Sequence, residues 1–361
     1  MERNEHALAS LRHRPEGRRR ALSGAARCLR GRDEHAGMSI ALPRLGMGTA
    51  AIGNLYRAVS DEEAQATVTA AFDAGIRYFD TAPHYGFGLA ERRLGAALAG
   101  RDAIVSTKVG RLLEPTSRRG TRHGFVDADP FEPVFDYSAD GIRRSHDASL
   151  KRLGRDRVEI LLAHDLGVVT HGDRHERHRR DFLASGYAAM RALRDAGAVD
   201  AIGIGVNEVS ICLDLVPRID LDVVLLAGRY SLLDRGAAET LLGLCADRGV
   251  RVIIGGPYNS GILAQDDLGD ASALHYDYAP PSTAVLAQAR RLAAICAEHG
   301  VPLPAAALQF PMRHPQIATV IPGIVGERQL RDTLARLTTP IPEALWTALD
   351  RADIPLRQEA S

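Results

Sequence analysis

Four residues of this chain bring together a carboxylate, a phenol, an ammonium and an imidazole: Asp80, Tyr85, Lys108 and His164. The first three lie in one stretch, 74–108, AGIRYFDTAPHYGFGLAERRLGAALAGRDAIVSTK. A free phenol, with a pKa of about 10, is a poor acid and a poorer base at neutral pH. A nearby ammonium lowers that value by favouring the phenolate, and a carboxylate paired with the lysine keeps the ammonium charged and in place. An imidazole reaching the same substrate oxygen fixes its orientation. Such a set gives or takes a proton at a substrate oxygen. Singly, each residue has a plainer reading, as a turn cap, a surface aromatic, a solvated lysine or a rim histidine.

These side chains converge only if the elements carrying them do. Apolar runs over 76–79 and 103–106 read as buried strands, with a helix-like segment over 89–99 between them. Asp80 caps the first strand and Lys108 lies just past the second. Tyr85 sits on the loop that Pro83, Gly86 and Gly88 break from regular structure. A βαβ unit places the carboxyl ends of both strands at one sheet edge.

The alternation runs through the chain. Further strands are expected over 45–49, 158–163, 201–206, 223–227, 250–254 and 318–321. Helices are expected over 61–73, 139–153, 182–195, 209–216, 237–247 and 284–299, with a short one over 305–312 and a last one from Glu327. Ser60 and Glu63 form a capping box for the first helix. Eight strands, each followed by a helix, predict a single-domain α/β fold, a closed (β/α)8 TIM barrel over 38–355. A doubly wound sheet would need a glycine fingerprint opening a helix after the first strand. Gly46, Gly48 and Ala51 have that spacing, but the helix cap comes only at Ser60. In a barrel, Asp80, Lys108, His164, Asn207, Arg229, Tyr230, Gly256 and Pro322 share one rim.

Three segments fall outside the alternation. Residues 110–138, rich in Gly, Pro, Arg and Asp, are too long for an ordinary connection and read as an irregular substrate loop. Residues 166–180 read as a second polar loop and 264–281 as a third. His171, His175 and His178 in HGDRHERH suggest zinc, but without apolar periodicity they read as a solvated loop, and no metal is expected. RRGTR at 118–122 reads as a mobile loop.

Composition narrows the partners. Lys plus Arg equals Asp plus Glu at 45 each, so no net field favours nucleic acid or an anionic membrane. No apolar run reaches the roughly 18 residues that span a bilayer. Cys28, Cys212, Cys245 and Cys296 lack any C-x-x-C spacing, which fits reduced thiols in a cytoplasmic protein. The expected partner is a small, roughly neutral molecule, with the protein a monomer or weak homo-oligomer. Residues 1–37 carry nine arginines among several acids, and read as a disordered tail rather than a transit peptide. A start of synthesis at Met38 is a second possibility.

The stretch DTAPHYG, the lysine of STK and the LLAHD strand resemble the catalytic tetrad of the aldo-keto reductase family. The similarity spans about 42–337. Its closest branch is that of the aldose 1-dehydrogenases acting on L-fucose and related D-threo-aldoses, with pyridoxal 4-dehydrogenation beside it. LPRLGMGTAAIGNLYR, SLKRLGRDRVEILLAHD, AIGIGVNE and LLAGRYSLLD carry that likeness. The resemblance implies that Asp80, Tyr85, Lys108 and His164 form the tetrad, with Tyr85 as acid/base. It also implies a nicotinamide dinucleotide, with Gly48, Thr49 and Asp80 at its pocket. Asn207 would bond the carboxamide and Tyr230 stack on the nicotinamide. Gly256, Asn259, Ser260, Gly261 and Leu263 would line the pyrophosphate, where barrels present backbone amides. Pro322, Gly323, Arg328, Gln329, Asp332 and Thr333 would surround the adenosine.

Two departures stand out. Ala227 replaces a glutamine common under the nicotinamide. After Pro322 the run Gly323-Ile324-Val325-Gly326 has no cation to meet a 2′-phosphate, although Arg328 lies near. The expectation is NAD, with NADP possible, and oxidation of a cyclic hemiacetal to a lactone. The alternatives are NADPH-dependent reduction of aldehydes or ketones, pyridoxal 4-dehydrogenation and, more distantly, a non-catalytic cofactor-binding regulator.

Overall fold

The computed structural model describes residues 40–269 and 274–352. The expected tail over 1–37, Cys28 and the last residues of the expected barrel segment lie outside them. In chain order the strands are β1 (Met47–Gly48), β2 (Tyr78–Asp80), β3 (Ile104–Val109), β4 (Arg111–Pro115), β5 (Phe131–Phe135), β6 (Ile160–His164), β7 (Ala201–Val206), β8 (Val223–Ala227), β9 (Arg251–Gly255) and β10 (Ile317–Ile321). Eight of them form one sheet in the order β1-β2-β3-β6-β7-β8-β9-β10, and every pairing in it is parallel. The ends meet through Gly46 N–H to the Val320 carbonyl and Gly48 N–H to the Pro322 carbonyl, both at 3.0 Å. With helices between the strands, this is the (β/α)8 barrel.

Strand pleating delivers the functional side chains. Successive residues alternate between the lumen and the helix layer. Ile160 and Leu162 fill the lumen with Tyr78, Leu225, Ile253 and Ile321, while Leu161 and Ala163 pack outward. The same period carries Asp80, Ser106, Lys108 and His164 inward at the upper end. The helices start where local chemistry allows. The Ser60 hydroxyl accepts from the Glu63 amide at 3.1 Å, and Ser138 from Gly141 at 3.2 Å, satisfying amides that a helix start leaves open.

The structure corrects several expectations. Lys108 lies within β3, not past it, because the pairing with β6 continues through Val109 opposite Ala163. Residues 110–138 contain an antiparallel hairpin, β4 with β5, whose register runs from Arg111 opposite Phe135 to Pro115 opposite Phe131. Prolines are tolerated there because both strands of a two-stranded ribbon are edges. Residues 166–180 include two short helices, Val168–His171 and His175–Asp181, anchored by ring contacts of His171 and His178 with Phe135 and Tyr137. Arg122 of RRGTR is buried, donating to the carbonyls of Phe131 and Asp129, both at 2.7 Å. A helix over Glu343–Arg351 was not foreseen. Cys212, Cys245 and Cys296 are buried.

Candidate active site

At the upper end of the lumen the Lys108 ammonium is held by three acceptors. Nζ donates to Asp80 Oδ2 at 2.7 Å, to the Thr81 carbonyl at 2.8 Å and to Tyr85 Oη at 3.2 Å. An ammonium has three protons, so these contacts use all of them and leave the side chain one orientation. Asp80 is fixed in turn. Its Oδ1 accepts from the Ser106 hydroxyl at 2.7 Å, its backbone carbonyl accepts from the Thr49 hydroxyl at 2.9 Å, and Tyr78 Oη lies 2.8 Å from Ser106 Oγ. Lys108 and Asp80 are 1% and 2% exposed.

Tyr85 is held by backbone contact. It opens a tight turn, Tyr85–Gly88, in which Gly86 has φ +63°. A Cβ at Gly86 would lie 2.4 Å from the Gly53 carbonyl oxygen, and one at Gly53 would lie 2.8 Å from the Tyr85 carbonyl carbon. Only two glycines let these loops touch and hold the phenol against Lys108.

Burial, reinforced by the Asp80 and Asp165 carboxylates and only partly offset by Arg111, holds the Tyr85 phenol well above its ordinary value. This reverses the expectation that Lys108 lowers it: burial of a neutral phenol outweighs the nearby cation. His164 is driven the other way. Burial first, then the charges of Arg111 and Lys108, push its pKa well below the usual imidazole range, so it is neutral. The Tyr85 and His164 rings meet edge to face with centroids 6.2 Å apart.

Beyond His164 lies a charged pair to which the sequence analysis gave no role. Asp165 sits at φ +42°, its carboxylate paired with Arg111 Nη2. Asp165 Oδ2 is 3.5 Å from His164 Nε2. Tyr137 locks this corner, its hydroxyl donating to the His164 carbonyl at 2.5 Å and lying 3.1 Å from the Asp165 carbonyl.

Two clefts open from these groups. One, of about 530 Å³, is walled by Tyr85, Lys108 and His164, by the aromatic rings of His84, Phe125, Phe135 and Tyr278, and by the charged side chains of Arg111, Arg118, Glu132 and Asp165. The other, of about 550 Å³, runs outward past Gly48, Thr49, Asp80, Gly256, Asn259, Ser260, Gly261, Gly323, Arg328, Gln329, Asp332 and Thr333. They join at Tyr85, Leu225, Ala227 and Tyr278.

Most of the expected cofactor residues therefore line one cleft, and Asn207, Tyr230, Leu263 and Pro322 lie outside its wall. Asn207 faces the inner cleft. Its Oδ1 is buried without a hydrogen-bond partner, which suits an amide group arriving at the junction. Tyr230 is not on either wall; it packs against Phe310 and His314, with centroids 5.3 and 6.2 Å away, because the chain turns outward after Gly228 at φ +66°. Leu263 is in the core, and its amide donates to the Tyr258 carbonyl at 3.2 Å. Pro322 is buried, with its carbonyl accepting the barrel-closing bond from Gly48. The amides of Asn259 and Gly261 also bond within their turn, at 3.0 Å each. The Asn259 side chain ties that turn to the β8 loop through Ser231 and the Gly228 carbonyl. Arg336 joins the outer wall unforeseen, donating to the Ala264 carbonyl at 2.9 Å with its guanidinium over the Tyr258 ring.

The expected solvated histidines are placed differently from one another. His171 lies 3.1 Å from Tyr137 Oη and meets the His178 ring at a tilt of 42°, centroids 4.4 Å apart, while His175 contacts the Gly172 carbonyl. Among the described residues no three His, Cys, Asp or Glu side chains gather as metal ligands, and no helix is long and apolar enough to cross a membrane.

The model of the aldo/keto reductase family matches residues 44–354. The chain belongs to the aldo/keto reductase family. This aldo/keto reductase is 42% identical over 320 residues to pyridoxal 4-dehydrogenase of Microbacterium luteolum, covering 84% of this chain and 92% of that protein. It is 40% identical over 326 residues to D-threo-aldose 1-dehydrogenase of a Pseudomonas species, covering 88% and 96%. In fold it matches the holo form of an aldo-keto reductase from Bacillus halodurans, with TM-score 0.69, 23% identity and coverage of 92% and 99%. It is an NAD(P)-dependent oxidoreductase.

Proposed function

We propose that this aldo/keto reductase oxidises the anomeric carbon of an aldose, in its cyclic hemiacetal form, to a lactone, with NAD as the preferred hydride acceptor. The observation that carries the reading is the Lys108-centred triad with His164 beside it at the junction of the two clefts. The similarity to two named dehydrogenases supports the direction. Pyridoxal, with a hydroxymethyl group beside its aldehyde, closes to a cyclic hemiacetal as an aldose does. One reaction class covers both relatives' substrates.

The residues of the outer cleft suit the dinucleotide, which supplies a hydride acceptor and, when oxidised, a positive charge near the phenol. Asn207 offers its unpartnered Oδ1 to the carboxamide. Tyr85, once deprotonated, takes the proton of the anomeric hydroxyl while C1 gives up its hydride, leaving the lactone carbonyl. Lys108 stabilises the phenolate, and Asp80 keeps Lys108 aimed at it. Neutral His164 bonds the same oxygen and holds it in line.

Preference for NAD rests on the far end of the outer cleft. Asp332 puts a carboxylate there, which repels a 2′-phosphate and accepts from ribose hydroxyls. Of the wall's cations, Arg336 already donates to Ala264 and lies over Tyr258, and Arg328 is exposed.

The test is formation of reduced cofactor by the purified protein with L-fucose, D-arabinose, L-galactose and pyridoxal, using NAD and NADP in parallel. A signal with NAD and a sugar supports the reading. NADPH consumption by simple aldehydes, with no oxidation of any of the four, sinks it. Asp332→Asn should raise NADP use relative to NAD. Tyr85→Phe should lower turnover by about 100- to 10,000-fold with NAD binding retained.

A further inference from the structure

The inner cleft has a buried charged corner, Arg111 with Asp165, that proton transfer does not require. Arg111 and Asp165 are nearly buried, with side-chain exposures of 6% and 15%, yet both border the cleft. The corner is built with care. Asp165 takes a left-handed backbone, its amide donates to the Gly205 carbonyl at 2.9 Å, and Tyr137 bridges the carbonyls of residues 164 and 165. Arg111, at the base of the β4–β5 hairpin, holds the carboxylate and lies over the Phe135 ring with Cζ 5.3 Å from its centroid. A charged pair drawn from two separate elements and desolvated at a cleft wall is costly unless its charges are used.

Position says what the carboxylate meets. A reacting oxygen held by His164 Nε2 lies close to Asp165 Oδ2, itself 3.5 Å from that nitrogen. In a bound substrate the next polar atom along is the oxygen on the neighbouring carbon. We propose that Asp165, clamped by Arg111, accepts a hydrogen bond from the hydroxyl on the carbon adjacent to the one that reacts. The cleft thereby selects α-hydroxylated substrates. Arg111 is a positioning residue, since it acts through Asp165. The inference deepens the hemiacetal reading and rests on it for the direction of reaction, but an α-hydroxyl is also present when the same carbon is reduced.

The experiment compares matched pairs in wild type and Asp165→Asn. Oxidation pairs L-fucose with 2-deoxy-L-fucose, and reduction pairs lactaldehyde with propanal. Asparagine keeps the shape and tolerates the left-handed backbone, and equal thermal midpoints verify the fold. Wild type should favour the hydroxylated member of a pair. Compared on the plateau of each pH profile, because the Asp165 charge also raises the Tyr85 phenol, Asp165→Asn should lose about 10- to 100-fold in kcat/KM on that member, the worth of one hydrogen bond to a charged group, and within about twofold on the deoxy member. A wild type that handles both members equally overturns the inference. So does a variant that loses equally on both with a displaced pH profile, which would mean that Asp165 acts only through His164. Silence in oxidation with selective reduction of lactaldehyde sinks the hemiacetal reading and upholds the role of Asp165.

Discussion

Gly205 is the floor on which Lys108 rests: a Cβ added at 205 would stand 3.1 Å from Lys108 Cε. The lysine cannot yield easily, because its ammonium is fixed by Asp80, Thr81 and Tyr85. Gly205→Ala should therefore shift Nζ relative to the phenol and lower kcat by about 10- to 100-fold, the scale of a misplaced catalytic group, with little change in thermal midpoint. An unchanged kcat would show that the lysine has more freedom than its contacts imply.

The raised phenol sets the pH dependence. Oxidation requires Tyr85 without its proton, so elevation of its pKa moves the rising limb of kcat/KM for oxidation to alkaline pH. Reduction requires the protonated phenol and should hold its rate through neutral pH. His164, neutral throughout, should add no inflection near the ordinary imidazole value. Rate profiles in both directions from pH 6 to 10 check this. An oxidation rate already flat at pH 7 would contradict it.

Lys108 and Asp80 form a buried pair, and removing one partner strands the other. Lys108→Met should destabilise the protein by about 3–5 kcal/mol, read as a lower urea midpoint. The double variant Asp80→Asn with Lys108→Met should recover much of that loss without recovering activity. Additive losses would mean that the two charges are not coupled.

Acid should weaken the segment that carries His171. Burial, then the neighbouring His178, lowers its pKa from 6.5 to about 4. Between those values the unfolded chain binds more protons than the folded one, so this contribution is present above pH 6.5 and is lost progressively down to pH 4. The thermal midpoint of His171→Gln should fall less steeply than that of wild type across this window. Parallel curves would refute the assignment.

Much of the site was legible because a barrel makes strand order and strand ends readable one element at a time. The apolar runs of β2, β3 and β6 and the residue types at their ends were enough to bring Asp80, Lys108 and His164 to one rim. Tyr85 followed from the broken loop after β2. The hairpin was missed because its prolines and charges hide strand alternation, and the helices of 166–180 because their support comes from Phe135 and Tyr137, far away in sequence.

What the sequence determined by itself was the alternation of elements, hence the barrel, and which chemical groups its upper end carries, since both are local properties of spacing and residue type. Only the tertiary structure decided which way those groups face and what environment they meet. It turned Tyr230 out towards Phe310, withdrew Leu263 and its amide into the core, set Lys108 one layer deeper within β3, and brought Arg111 to Asp165 across 54 residues. It also reversed the expected shift of Tyr85, because burial is a sum over neighbours from the whole fold and no stretch of sequence contains it.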